Sequence, residues 1–195
     1  LFISIPFFKS AKIEKLDKHE SASCMPNLDH LCRLDVKERP WEYIVIHHSA
    51  TAKGNAARFD QYHKKMKGWE YGLAYHFVVG NGSFSGDGEI EVGSRWKKQI
   101  HGAHTANMNC NRVAIGICLV GDFENGGAPK ENQFESLVSL VQYLSRKYNI
   151  PSSNIIEHKH VHQKATACPG KNFPFAELKT RLLQIASKSS NHKEL

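Results

Sequence analysis

A chain of 195 residues, 41% of them hydrophobic and including 10 Phe, 6 Tyr and 3 Trp, has enough apolar mass for one packed core, and no run approaches the roughly 18 apolar residues of a membrane helix. The formal net charge of +7 suits an anionic partner, but no Lys/Arg run exceeds two residues and no zinc-finger or RNP pattern is present, which argues against nucleic acid. The five Cys (Cys24, Cys32, Cys110, Cys118, Cys168) contain no C-x-x-C pair, which argues against a zinc ribbon or thioredoxin-like site; Cys24 with Cys32, or Cys110 with Cys118, are either bridges or buried thiols.

Residues 1–40 are mixed in charge and lack sustained periodicity, so they read as a leader or irregular extension. Their apolar start, Leu1 to Phe8, suits a signal-peptide remnant or an arm docked on the body. From Trp41 the character changes. Tyr43 to Ile46 is a β-branched run that predicts a buried strand, ending in His47-His48-Ser49. Asn55 to Lys67 reads as a helix with Phe59, Tyr62 and Met66 on one face. Ala74 to Val79 is the next predicted strand, and Glu89 to Val92 follows after glycine-rich turns. Val113 to Val120 is almost continuously apolar, as a central strand covered on both faces should be. Glu131 to Tyr148 carries the stripe Phe134, Leu137, Val138, Val141 and Leu144 between Pro129 and Pro151, predicting a long helix. Ile155-Ile156 begins a last short strand, Phe175 to about Ala186 a terminal helix, and 187–195 a polar tail. The order predicts a single domain over 41–186 of mixed α/β class, a central sheet flanked by helices.

Three clusters hold the residues that zinc prefers: His47-His48, His158-Lys159-His160-Val161-His162, and Thr166-Ala167-Cys168-Pro169-Gly170. Two imidazoles and one thiolate would make a three-ligand site with one position open for water. Adjacent strand residues point to opposite faces, so His47 and His48 should not both ligate. If 157–162 is extended, His158, His160 and His162 share a face and spacing does not choose among them.

The segments Ile46-His47-His48-Ser49-Ala50, Ala74-Tyr75-His76-Phe77, His101-Gly102-Ala103-His104-Thr105, Ile115-Gly116-Ile117 and Thr166-Ala167-Cys168-Pro169-Gly170 occur in one order. That order resembles the type-2 N-acetylmuramoyl-L-alanine amidase family, which includes phage lysozyme-like amidases and peptidoglycan recognition proteins. The resemblance covers about Tyr43 to Leu183. It implies one zinc ion per chain held by His47, His158 and Cys168, with His160 as the fallback for His158, because Glu157-His158-Lys159 stands where the family has Gly-His-Arg. It implies hydrolysis of the amide between the muramoyl lactyl group and L-Ala of peptidoglycan or a muropeptide, by a protein that is secreted, periplasmic or at the cell envelope; the sequence leaves the oligomeric state open, with a monomer favoured.

The resemblance also assigns helpers. Tyr75 would donate a hydrogen bond near the metal and substrate carbonyl, and Thr166 would face the tetrahedral intermediate without supplying positive charge, with Lys164 close in sequence. His104 would contact substrate, and Arg95-Trp96 would line the groove or serve surface packing. His48 and His76 would pack or orient the ligands. Asn107, Asn109 and Asn111 are hydrogen-bonding groups for sugar or peptide, or turn residues. Some members place a Glu general base after Ile-Gly-Ile; Cys118 stands there instead, which leaves the proton-transfer partner unassigned. The rival reading is a recognition module that binds muropeptides without cutting them. Such relatives carry Ser before Pro-Gly, whereas this chain keeps Cys168. A recycling branch has Asp before Pro-Gly and Glu after Ile-Gly-Ile, and this chain has Cys at both positions.

Overall fold

The computed structural model describes residues 27–161 and 163–191, with side chains through 185. The apolar start, Cys24, His162 and residues 192–195 lie outside the described residues. The elements are α1 (Leu28–Leu31), β1 (Tyr43–His48), α2 (Ala56–Lys67), β2 (Phe77–Asn81), β3 (Asp87–Val92), α3 (Ser94–Lys97), α4 (Met108–Val113), β4 (Ala114–Leu119), α5 (Glu131–Tyr148), β5 (Ile155–Glu157) and α6 (Phe175–Asn191). This is the mixed α/β class that the sequence predicts. Among the described residues no helix is long and apolar enough to cross a membrane.

The five strands lie in the order β3-β2-β4-β1-β5. Strand β1 runs parallel to both β4 and β5, and β2 runs parallel to β4 and antiparallel to β3. Every residue of β4 is buried, as its unbroken apolar run requires. Side chains alternate across the sheet, so Ile44, Ile46, Ile115, Ile117, Phe77 and Val79 join one core. That core is closed by the α5 stripe, including Leu137, Val141 and Leu144, each worth roughly 1.5–3 kcal/mol when fully buried. Helix α5 stops at Asn149 in the left-handed conformation, with φ 54°, two residues before Pro151. The other face carries Val78, Cys118 and Val120 over a smaller cluster with Leu73. His47 is the register partner of Cys118, so the two side chains share this second face.

Several local expectations change. Helix α2 forms as predicted, capped by Asn55 and closed by Gly68 at φ 65°, but none of its residues is buried. Its apolar face is divided: Ala56 and Phe59 pack on the smaller cluster against the second face of the sheet, whereas Tyr62 and Met66, 52% and 68% exposed, face outward, with Tyr62 on the wall of a groove. The second strand starts at Phe77, not Ala74. The Ala74 amide donates to His63 Nδ1 and its carbonyl accepts from Ala103, which pulls that residue out of the ladder. Strand β5 ends at Glu157 and the chain turns into a 3-10 helix over His158–His160, so alternation does not order that cluster. Helix α6 runs past Ala186 to Asn191, with no Gly or Pro between them to stop it. Cys110 and Cys118 do not bridge. One lies on α4, the other points to the second face of the sheet, and Cys32, Cys110, Cys118 and Cys168 are all free thiols.

Candidate metal centre

Neighbouring parallel strands deliver their C-terminal ends to one edge, and here β1 ends in His47 and His48 while β5 runs directly into His158. The His47 and His158 rings lie 4.3 Å apart between centroids. The loop carrying Cys168 is tied to the same edge: the Lys159 amide donates to the Cys168 carbonyl at 2.8 Å, and the His48 amide donates to Cys168 Sγ at 3.3 Å. One donor atom each from His47, His158 and Cys168 falls within 4.8 Å of the others. His47 is 1% exposed and its Nδ1 lies 3.8 Å from Cys168 Sγ. His160, by contrast, has its side chain 61% exposed and directed at Glu157, 3.7 Å away.

Two imidazoles and a thiol are a donor set that suits zinc. Burial pushes the Cys168 thiol up to about 12, so without a cation the sulfur keeps its proton. A divalent cation would supply the charge that makes a buried thiolate tenable. The residues therefore fit a zinc ion.

Tyr75 flanks this centre, its ring 5.2 Å from that of His47 and its hydroxyl hydrogen-bonded to Cys118. Thr166 Oγ1 accepts from the Cys168 amide at 3.3 Å and so braces the ligand loop, while Lys164 is exposed. His48 is buried, and its Nδ1 accepts from the Phe123 amide. His76 is buried as well, with Nδ1 accepting from the Gly116 amide and Nε2 donating to the Ile100 carbonyl.

Three expected substrate contacts are placed elsewhere. His104 is buried behind His47, its Nδ1 3.0 Å from His47 Nε2, so it meets the metal ligand and not the groove. Trp96 is 0% exposed. It packs on Phe77 in the core and donates its indole N–H to the Cys32 carbonyl. Arg95 is also buried, donating through Nε to the Leu73 carbonyl and through an NH group to the His101 carbonyl. The short helix α3, which the sequence does not announce, turns both inward. Asn111 clamps the backbone at His104 and Thr105, and Asn107 caps α4; both serve the loop.

An open groove of about 460 Å³ begins at Tyr75 and is lined by Lys53, Arg58, Tyr62, His63 and Phe84 among others, with no acidic side chain among the described residues of its walls. Arg58 stacks on Phe84 at 3.9 Å. His63 accepts the Ala74 amide proton on Nδ1, and its ring lies 6.0 Å from that of Tyr75. Sequence reasoning missed His63 and Phe84. The apolar face of α2 marks Phe59, Tyr62 and Met66 but neither His63 nor Phe84, which lies outside that helix.

A sequence model described as N-acetylmuramoyl-L-alanine amidase matches residues 37–171, more than half of the chain. The solved N-acetylmuramoyl-L-alanine amidase LysC from Clostridium intestinale URNW is similar at 34% identity and a TM-score of 0.61, over 73% of this chain and 85% of that one. A mutant of Drosophila PGRP-LB in complex with tracheal cytotoxin is similar at 25% identity and a TM-score of 0.56, over 75% and 86% of the two chains. A peptidoglycan-recognition protein of Drosophila simulans is 31% identical over 97 residues, which span 49% of this chain and 47% of that relative. With its sheet, its ordered motifs and the matched span, the chain belongs to the N-acetylmuramoyl-L-alanine amidase family.

Proposed function

We propose that the protein is a zinc-dependent amidase that hydrolyses the bond between the muramoyl lactyl group and L-Ala of peptidoglycan or its fragments. The observation that carries this is the convergence of His47, His158 and Cys168 donor atoms to within 4.8 Å of one another. These three residues would hold the ion. When bound, zinc supplies Lewis acidity and a water nucleophile usable at neutral pH. Tyr75, kept protonated by burial, donates a hydrogen bond to the substrate oxygen as it gains charge. Thr166 holds the Cys168 loop in place. The groove beside Tyr75, with Arg58 and Lys53 on its walls, receives the stem peptide, whose carboxylates suit a site without acidic side chains. Intact peptidoglycan as substrate would have the protein work at the cell envelope or beyond it, and one chain carries the whole donor set.

A module that only recognised muropeptides would have no use for a buried thiol at the ligand position. The LysC and tracheal-cytotoxin-bound relatives support both peptidoglycan readings, and Cys168 favours cleavage. Purified protein is expected to hold about one zinc per chain. Cys168→Ser is expected to lose the metal and the digestion of a purified muropeptide together. Full activity in zinc-free protein would overturn the proposal, and zinc binding without any cleavage would favour the recognition module.

A further inference from the structure

We propose that His104 is a positioning residue: its ring fixes the tautomer and orientation of His47 so that His47 Nδ1 is presented to the metal. The proposal rests on the zinc reading above. The His104 ring sits between two partners, His47 Nε2 at 3.0 Å from its Nδ1 and the Ala114 carbonyl at 3.3 Å from its Nε2. A carbonyl oxygen only accepts, so the proton of the neutral ring is on Nε2 and Nδ1 is the acceptor. That acceptor takes the Nε2–H of His47. Neutral His47 then carries its lone pair on Nδ1, the nitrogen 3.8 Å from Cys168 Sγ. Metal ligation needs that unprotonated nitrogen. A backbone carbonyl at the start of β4 thus decides, through one buried ring, which nitrogen of His47 serves the ion.

The slot for this ring is built into two of the ordered motifs. A Cβ at Gly102 would lie 2.3 Å from His104 Cδ2, and a Cβ at Gly116 would lie 2.4 Å from the same atom. Asn111 fixes the backbone on which the ring stands, its Oδ1 accepting from the amides of His104 and Thr105 at 3.1 Å each. His76 closes the far side edge-on, with ring centroids 6.0 Å apart. The ring is buried and lies outside the groove lining, so its effect on the reaction passes through His47.

The test compares His104→Leu with His104→Asn, side chains of similar size of which only Asn offers an acceptor. Zinc affinity is measured by competition with a chelator of known strength, and the visible spectrum of cobalt-loaded protein reports the ligand set. His104→Leu is expected to bind zinc about ten- to a hundredfold more weakly, the usual effect of losing a partner behind a ligand. His104→Asn is expected to stay close to wild type with an unchanged cobalt spectrum. Circular dichroism establishes that each variant is folded, and if the Leu variant does not fold, the Asn variant decides alone. A folded Leu variant with wild-type affinity, or an Asn variant that loses the metal, would overturn the role of His104 and leave the amidase reading intact. A wild-type protein that takes up no zinc would overturn both.

Discussion

The Tyr75 hydroxyl holds its proton because burial lifts it well above its ordinary 10.0, with the Cys118 and Cys168 sulfurs adding to the rise. At neutral pH it is therefore a donor and not a base. Its partner Cys118, buried beside His47 in the sheet register, is itself pushed well above its usual range by desolvation and by the nearby Cys168. Neither group takes a proton from water at neutral pH, and in the proposed reaction Tyr75 would offer a hydrogen bond that strengthens as charge develops on the substrate. Tyr75→Phe keeps the ring beside His47 and removes the hydroxyl, with both its Cys118 hydrogen bond and the one proposed to the substrate. It is expected to lower kcat by about 10²–10³, the cost of losing one such donor, with zinc content unchanged. Steady-state kinetics on a muropeptide with parallel metal analysis checks this. An unchanged kcat would remove Tyr75 from the chemistry.

At the scale of elements, α2 divides its apolar stripe, with Phe59 packed toward the sheet and Tyr62 and Met66 turned away from it. Its stripe shows which residues share a face, and nothing in a local period shows what that face meets. Tyr62 and Met66 face outward, and Tyr62 joins Phe84 on the groove wall, where the proposed function would have the two rings meet the substrate. Tyr62→Ala and Phe84→Ala are expected to raise KM while shifting stability by no more than about 0.5 kcal/mol, as exposed positions do. Urea unfolding and muropeptide kinetics separate the two effects. A loss of about 2 kcal/mol or more would return these side chains to the core. Strand β4 and helix α5 were legible because they are long, strongly patterned and buried as their pattern demands. Strand β5 was legible only to Glu157, since a 3-10 turn leaves no period-2 trace. Helix α3 is four residues long, too short for any period, and it is what turns Arg95 and Trp96 inward.

Across the whole molecule, the donor set was legible as residue types but not as a convergence. The β1–β5 pairing and the tethers of the Cys168 loop to Lys159 and His48 bring the three clusters to one edge. The same packing buries uncharged imidazoles in the body of the protein, which ties stability to pH. His76 is the clearest case: desolvation holds it well below its ordinary 6.5, and His104, Arg95 and Arg39 around it add to the depression against the bond to the Ile100 carbonyl. Protonating Nδ1 would also cost the hydrogen bond from the Gly116 amide, which ties this residue to the centre of β4. The folded state therefore binds the proton more weakly than the unfolded chain. Its stability is full above about 6.5 and falls as pH drops below that value, because the unfolded chain takes up the proton first. Carboxylates such as Glu135, held low by Arg181, act in a separate window nearer pH 4. Between pH 7 and pH 5, a histidine that stays neutral when folded costs about 2 kcal/mol. His76→Asn keeps an acceptor for the Gly116 amide and removes the titration. In urea unfolding with a chelator present, the variant is expected to lose about 2 kcal/mol less than wild type between those two pH values. Equal losses in both proteins would mean that His76 is protonated alike in the folded and unfolded chains.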